Sequence, residues 1–371
     1  MKYQDIHLAD KSLWQQYQKY MQAGQTSQAL TLLENAQLAD KGMTADVFNG
    51  LTTEMVRLEN QGKDSTWSKS VIPMAKRAPD GMQSGDMYFK KLGGAVNPLC
   101  FFTDEYGVTL SLNLINAAYP LTKNQSFETS YDMVAWEPYT LGTSITLTPQ
   151  GNSRIYFRGN NTTVNESRRC GVRFVDDGSG MFVSGNIMSL LNYSDVVPAH
   201  CFEGLFEGTV LLSYPELPAG VVGDYGYSAM FAGCNSLDII TESVELPATT
   251  LGVYAYGSMF ENSTIVTAPV LPAKMIGEHS YSGMFSQCLQ LKSVPNIAST
   301  NFGYGACEAM FSGDVELKSI KMAYTGNFVT DNAAFSNWVS GVSLSGTFYY
   351  NGSDTTRGAS AIPTGWTIQK F

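Results

Sequence analysis

The feature that most limits what this 371-residue chain can fold into is a repeat of about 25 residues. The segment "YGYSAMFAGCNSL" (225–237) aligns with "HCFEGLFEGTVLL" (200–212), "YAYGSMFENSTIV" (254–266), "HSYSGMFSQCLQL" (279–291) and "GACEAMFSGDVEL" (305–317). The shared phenylalanine falls at Phe206, Phe231, Phe260, Phe285 and Phe311, at intervals of 25, 29, 25 and 26. Six residues later come Leu212, Leu237, Val266, Leu291 and Leu317. Leu-Pro-Ala follows at 217–219, 246–248 and 271–273, and loosens to Asn-Ile-Ala at 296–298. The long interval carries four extra residues at or near Thr241–Val244. A single 25-residue unit cannot bury these apolar positions alone, so successive units must stack into a solenoid with one continuous core. The expected unit is a short helix or turn around Tyr-x-x-Met-Phe, a short strand around the later leucine, and a Pro-Ala turn. From Phe335 the pattern changes, and Phe335–Phe371 reads as a C-terminal cap closed by Trp338, Phe348 and Trp366.

The rest of the chain divides by its periodicity. Leu13, Trp14, Tyr17, Tyr20 and Met21 share one helical face, Gly24 is a stop signal, and Thr26 and Thr44 are N-cap candidates. Val47, Leu51, Met55 and Leu58, spaced 4, 4 and 3, approach a coiled-coil seam. Two readings stand for it: packing among three short helices, or self-association. Residues 61–90, with Pro73, Pro79, Gly81 and Gly85, read as a linker. Between 91 and 195, short apolar runs alternate with turn residues, as in a small β-sandwich, and Asp177-Gly178 suggests a hairpin.

The repeat units resemble the BspA-like leucine-rich repeat family. Further elements match it in order: "SGNIMSLLN" (184–192), "NWVSGVSLSGTF" (337–348) and "IPTGWTI" (362–368). The segment "VAWEPYTLGTSITLTPQGNSRIYFRGNN" (134–161) is similar to the β-module that precedes such repeats. The family is similar to surface-exposed proteins of gut and oral anaerobes and to fibre proteins of their phages, so the resemblance implies binding and adhesion. Residues 1–90 resemble N-terminal attachment regions of phage fibre and tail-tip proteins.

Motifs for chemistry are scarce. His7, His200 and His279 have no Cys, Asp or Glu at metal spacing, and His200 and His279 occupy equivalent repeat positions. Cys234 and Cys288 share a slot with Thr209, Ser263 and Asp314, which reads as a small buried filler rather than a thiolate nucleophile. "DDGSG" (176–180) lacks the alternating ligands of a calcium loop, and Asp104-Glu105 diverge too far to form a glycosidase pair. The net charge of −10 disfavours nucleic acid, and Arg168, Arg169 and Arg173 form too small a basic group to reverse that. No apolar run spans a membrane, and "MKYQDIHLADKSLWQQYQ" carries no export signal.

These readings combine into an α+β multidomain expectation: N-terminal helices with a linker (1–90), a β-sandwich module (91–195), and a leucine-rich-repeat solenoid (196–371) capped from about 335. The expected role is a virion fibre or tail-tip protein, exposed on the particle, that binds a host-surface glycan or protein. It needs no cofactor, metal, nucleic acid or membrane insertion and has no catalytic residues. Residues 1–90 would contact other virion proteins and form a homo-oligomer, expected to be a trimer, through Val47, Leu51, Met55 and Leu58. Candidate ligand positions flank the later leucine on the solenoid face: Ser236, Asp238, Ile265, Thr267, Gln290, Lys292, Glu316 and Lys318. An ordinary solvated sheet face is the alternative for these positions, and the exposed Tyr225 and Tyr254 read either as sugar platforms or as packing between turns. A bacterial surface adhesin and a carbohydrate-active enzyme with its site in the β-module are the alternatives for function. Light scattering of the full chain after size exclusion is expected to give an oligomer, with Leu51→Asp shifting it to monomer. A monomeric parent chain would remove the self-association reading.

Overall fold

In the turn region of each repeat, every second backbone N–H has no partner inside its own turn, and the next turn supplies that partner. In the first unit, the N–H groups of His200, Phe202, Gly204, Phe206 and Gly208 donate to the carbonyls of Asp224, Gly226, Ser228, Met230 and Ala232, at 2.7–3.0 Å. The intervening residues, Cys201 to Thr209, donate to the carbonyl three residues back. The alternation requires a left-handed residue every fourth position, and φ is positive at 200, 204 and 208, at 225, 229 and 233, and so on through 305, 309 and 313. Of these fifteen positions, glycine holds Gly204, Gly208, Gly233, Gly283, Gly305 and Gly313; the other nine are side-chain-bearing residues, including His200, Tyr225, Tyr254 and His279. Each of those costs about 1 kcal/mol or more in isolation. They persist because both their hydrogen bonds and their side-chain packing depend on that conformation.

Of the two expectations around Tyr-x-x-Met-Phe, a short helix or a turn, the structure shows the turn, extended into this ribbon. The computed structural model describes residues 97–103, 107–149, 152–237 and 246–371, all within one compact unit, Val96–Phe371. The α+β expectation is corrected: among the described residues there is one 3₁₀ turn, Ile187–Leu190, and no α-helix, and the strands build a β-solenoid of about six turns. The physical reason lies in the spacing, because Tyr, Met and Phe at i, i+3 and i+4 suit one face of a helix and equally suit this four-residue ribbon. The expected helices and seam at 10–60, with Val47, Leu51, Met55 and Leu58, lie outside the described residues, as do Asp104-Glu105 and the Thr241–Val244 insertion.

Before the repeats come eight strands: β1 (Leu99–Phe102), β2 (Val108–Leu114), β3 (Glu128–Ser130), β4 (Glu137–Pro138), β5 (Ile145–Leu147), β6 (Arg154–Arg158), β7 (Val172–Asp176) and β8 (Phe182–Ser184). They form two antiparallel sheets, ordered β4-β3-β6-β1-β8 and β5-β2-β7. Phe101 of β1 and Phe157 of β6 meet Phe174 of β7 at 4.6 and 5.2 Å between ring centroids, which joins the two sheets in one core. Asp177-Gly178 does not make a hairpin. β7 pairs with β2 and β8 with β1, so the segment crosses from one sheet to the other. Its carboxylates serve that crossing, since Asp177 accepts from the Thr109 N–H and Asp176 from the Val210 N–H.

The solenoid adds two parallel faces to the turn ribbon. One holds β9 (Val196–Val197), β10 (Val221–Val222), β11 (Thr250–Leu251), β12 (Met275–Ile276) and, pairing with β12, β14 (Asn301–Phe302). The other holds β13 (Ser293–Ile297), β15 (Ser319–Met322), β16 (Thr347–Tyr350) and β17 (Thr367–Gln369) in a continuous parallel ladder. The segment after Phe335 therefore continues the ladder for two more rungs. Trp338, whose carbonyl accepts from the Phe311 N–H, stands where the earlier turns place their methionine.

Inside, equivalent side chains stack along the axis. Phe206, Phe231, Phe260, Phe285 and Phe311 follow one another at 5.5–5.6 Å with ring planes within 14° of parallel. Phe174 begins this column at 5.4 Å and Trp338 ends it at 5.9 Å, so the sheet module and the solenoid share a core. A second column runs Phe202, Tyr227, Tyr256 and Tyr281. The three tyrosine hydroxyls are buried without a hydrogen-bond partner. Such stacked contacts each contribute about 0.5–1.5 kcal/mol beyond area burial, whereas an unpartnered buried hydroxyl costs about 1–3 kcal/mol. The two columns therefore respond oppositely to truncation. Phe260→Ala is expected to destabilise by about 3–5 kcal/mol, while Tyr256→Phe is expected to be neutral or stabilising. Urea midpoints at constant slope check both.

Candidate functional site

A third column of rings lies on the surface, at the first left-handed position of each ribbon. His200, Tyr225, Tyr254 and His279 stack at 4.8, 5.0 and 4.5 Å with planes within 13° of parallel. Stacking of this kind covers ring faces and shows solvent only ring edges. Tyr225 and Tyr254 therefore pack successive turns and offer no platform for a sugar. His200 and His279 take equivalent places in the same column.

The column ends at the fifth turn for a steric reason. The next equivalent position is Gly305, with φ +61°, and a Cβ there would strike the His279 imidazole. The neighbouring Tyr304 carries the next ring instead. Its centroid is 5.4 Å from His279, its plane is turned by 83°, and it is 67% exposed. At that exposure the Tyr304 ring is largely open to solvent. One carboxylate lies against the neighbouring His279. Glu308 Oε2 lies 3.3 Å from His279 Nδ1, just outside hydrogen-bond geometry, and His279 is only 9% exposed. Partial burial raises the Tyr254 phenol above its ordinary range, with Tyr225, Glu308, Glu278 and Tyr304 adding to the shift. At the far end of the column, His200 Nδ1 sits 2.6 Å from Glu203 Oε2.

The positions read from sequence fare differently. Gln290, Lys292, Glu316 and Lys318 are exposed, and the Lys318 N–H donates to the Lys292 carbonyl, so these two lysines stand side by side on adjacent turns. Lys318 Nζ reaches Glu316 at 3.5 Å, an exposed pair of small energetic weight. Thr267 is exposed and bridges Ser293, which begins a row of hydroxyl residues through Ser319, Thr347 and Thr367. Ser236 is half-buried, and Asp238 lies outside the described residues. Ile265 is a correction, since it is buried at 1% while Val266 is only partly covered. In that turn and the first, the chain extends straight from the small-residue slot, so Leu211 and Ile265 fill the core one position early. Where Leu291 and Leu317 fill it, an extra turn bonds their N–H groups back to Cys288 and Asp314. Tyr304, Glu278 and Glu308 escaped the sequence reading because Tyr304 sits one residue off the repeat register; glycine in place of His or Tyr at 305 was the available signal.

No cluster of three or more metal-ligating side chains occurs among the described residues, and none of their helices is long and apolar enough to cross a membrane. All six cysteines are free, and burial pushes the Cys234 and Cys288 thiols up to about 12. Cys234 and Cys288 hydrogen-bond the carbonyls of Phe206 and Phe260. Arg168 and Arg173 both pair with Glu207, the first at 2.7 Å. No protein family, curated protein or solved structure matches this chain.

Asp314 is the exception in the small-residue slot. It is fully buried; Oδ1 accepts from the Cys288 N–H at 2.8 Å and Oδ2 has no partner. Burial raises its carboxyl from 3.8 to about 8, against the bond from Cys288. Between those values the folded chain keeps a proton that the unfolded chain releases. Stability therefore falls as pH rises across that window and levels off above it. Asp314→Asn, which keeps the acceptor, is expected to flatten thermal stability between pH 5 and 8, and at pH 8 to raise it by about 1–3 kcal/mol. Melting curves across the range check the slope.

Proposed function

We propose that this chain is a virion fibre or tail-tip protein that binds a host-cell surface along its solenoid. The observation that carries the reading is the surface column ending in an outward-turned aromatic ring, mounted on a scaffold whose core runs unbroken from Leu99 to Trp366. A solenoid fixes side chains at regular intervals along a rigid axis, which suits contact with an extended surface better than enclosure of a substrate. Its buried thiols, held protonated by burial, are unsuited to nucleophilic work. The resemblance to BspA-like surface proteins and fibres points the same way. Assembly through residues 1–90, as a trimer, would raise avidity without any new contact. Purified virions are expected to contain the chain, and fluorescently labelled full-length chain is expected to bind host cells saturably. Its absence from virions but presence on a cell envelope would transfer the reading to a bacterial adhesin. Failure to bind any cell surface would overturn it.

A further inference from the structure

We infer that Tyr304, with Glu278, His279 and Glu308, forms a subsite for an uncharged saccharide unit. The inference rests on the surface-binding reading and gives it a ligand class and an address. An apolar saccharide face is a patch of C–H groups rimmed by hydroxyls. It is met best by an exposed aromatic face rimmed by hydrogen-bond acceptors.

Tyr304, the ring next to the end of the surface column, is the exposed one. The planes of His200, Tyr225, Tyr254 and His279 lie within 13° of one another and cover each other, while Tyr304 is turned by 83° and is 67% exposed. Its neighbours come from successive turns: His279, which Glu278 precedes in the chain, from the fourth, and Glu308, which reaches His279 at 3.3 Å, from the fifth. The platform is rigid, because His279 is held between the face of Tyr254 at 4.5 Å and the turned ring of Tyr304, and Glu308 lies against its Nδ1. Gly305 maintains the arrangement, since a side chain there would push His279 out of the column.

Charge selects among saccharides. The Glu308 carboxylate against His279, with Glu278 next to His279 in a chain of net charge −10, would accept hydrogen bonds from hydroxyls and repel uronic or sialic acids. A quaternary ammonium ion is the competing ligand for an exposed aromatic ring on an acidic chain. A single open face provides one wall of the cage such an ion needs, whereas it covers one side of a sugar.

The experiment titrates the full-length chain by calorimetry with cellohexaose, maltohexaose and mannohexaose in turn, with hexagalacturonate as the acidic counterpart and phosphocholine as the cationic one. Saturable binding of at least one neutral hexamer is expected, with hexagalacturonate at least tenfold weaker. Tyr304→Ala should weaken binding at least tenfold, and Glu278→Gln and Glu308→Gln each severalfold. Leu344→Ser, at a position 91% exposed on the sixth turn, should leave it unchanged. Tyr304 contributes little to the core, so circular dichroism should show Tyr304→Ala folded; a misfolded variant passes the test to Tyr304→Phe, which keeps the ring and should bind like the parent, and to the two glutamine variants. The inference is overturned if no neutral hexamer binds, if folded Tyr304→Ala or both glutamine variants bind like the parent, if folded Tyr304→Phe loses binding, or if phosphocholine binds more tightly than every sugar. Labelled chain that binds cells while these titrations fail removes the subsite and leaves surface binding standing. Sugar binding without cell binding does the reverse.

Discussion

The hydrogen bond from one turn to the next is the interaction on which this molecule depends. Alternate N–H groups of each ribbon leave their own turn and find a carbonyl in the next. A turn standing alone would leave those donors unpaired against a core, at a cost of about 1–3 kcal/mol each. The same register places equivalent side chains above one another, so the backbone ladder and the phenylalanine column are a single construction. It also explains how His200, Tyr225, Tyr254 and His279 hold left-handed conformations that side-chain-bearing residues avoid. The neighbouring turns fix both the backbone and the ring.

The sheets of residues 99–184 start this ladder. Phe174 stacks on Phe206, and its N–H donates to the Leu205 carbonyl, so the first turn meets a partner already in register. At the other end, β16 and β17 carry the parallel ladder past the last clear repeat, and Trp338 closes the phenylalanine column with a larger, tilted ring. Two positions interrupt the regularity, with different consequences. Asp314 puts a carboxyl where other turns place Thr, Cys or Ser, which makes the core sensitive to pH. Gly305 leaves the surface column without its next ring, and Tyr304 beside it stays exposed.

The amino-acid sequence by itself determined that the chain stacks, and at what period, because a ladder residue must recur in every turn. The phenylalanines, the Met/Leu before them and the small slot holding Cys234 and Cys288 are all legible for that reason. The local conformation was not legible, since apolar residues at i, i+3 and i+4 satisfy a helix and a four-residue ribbon alike; only the destination of each N–H separates the two. Nor was the one-residue shift that buries Ile265 in place of Val266, which depends on whether an extra turn follows the small slot. The disposition of the surface rings was decided by tertiary structure alone. Whether a tyrosine shows solvent its edge or its face depends on what stands beside it in the neighbouring turn. Tyr254 has His279 there, and its face is covered. Tyr304 stands one residue before the column position, which Gly305 leaves without a ring, and it stays exposed.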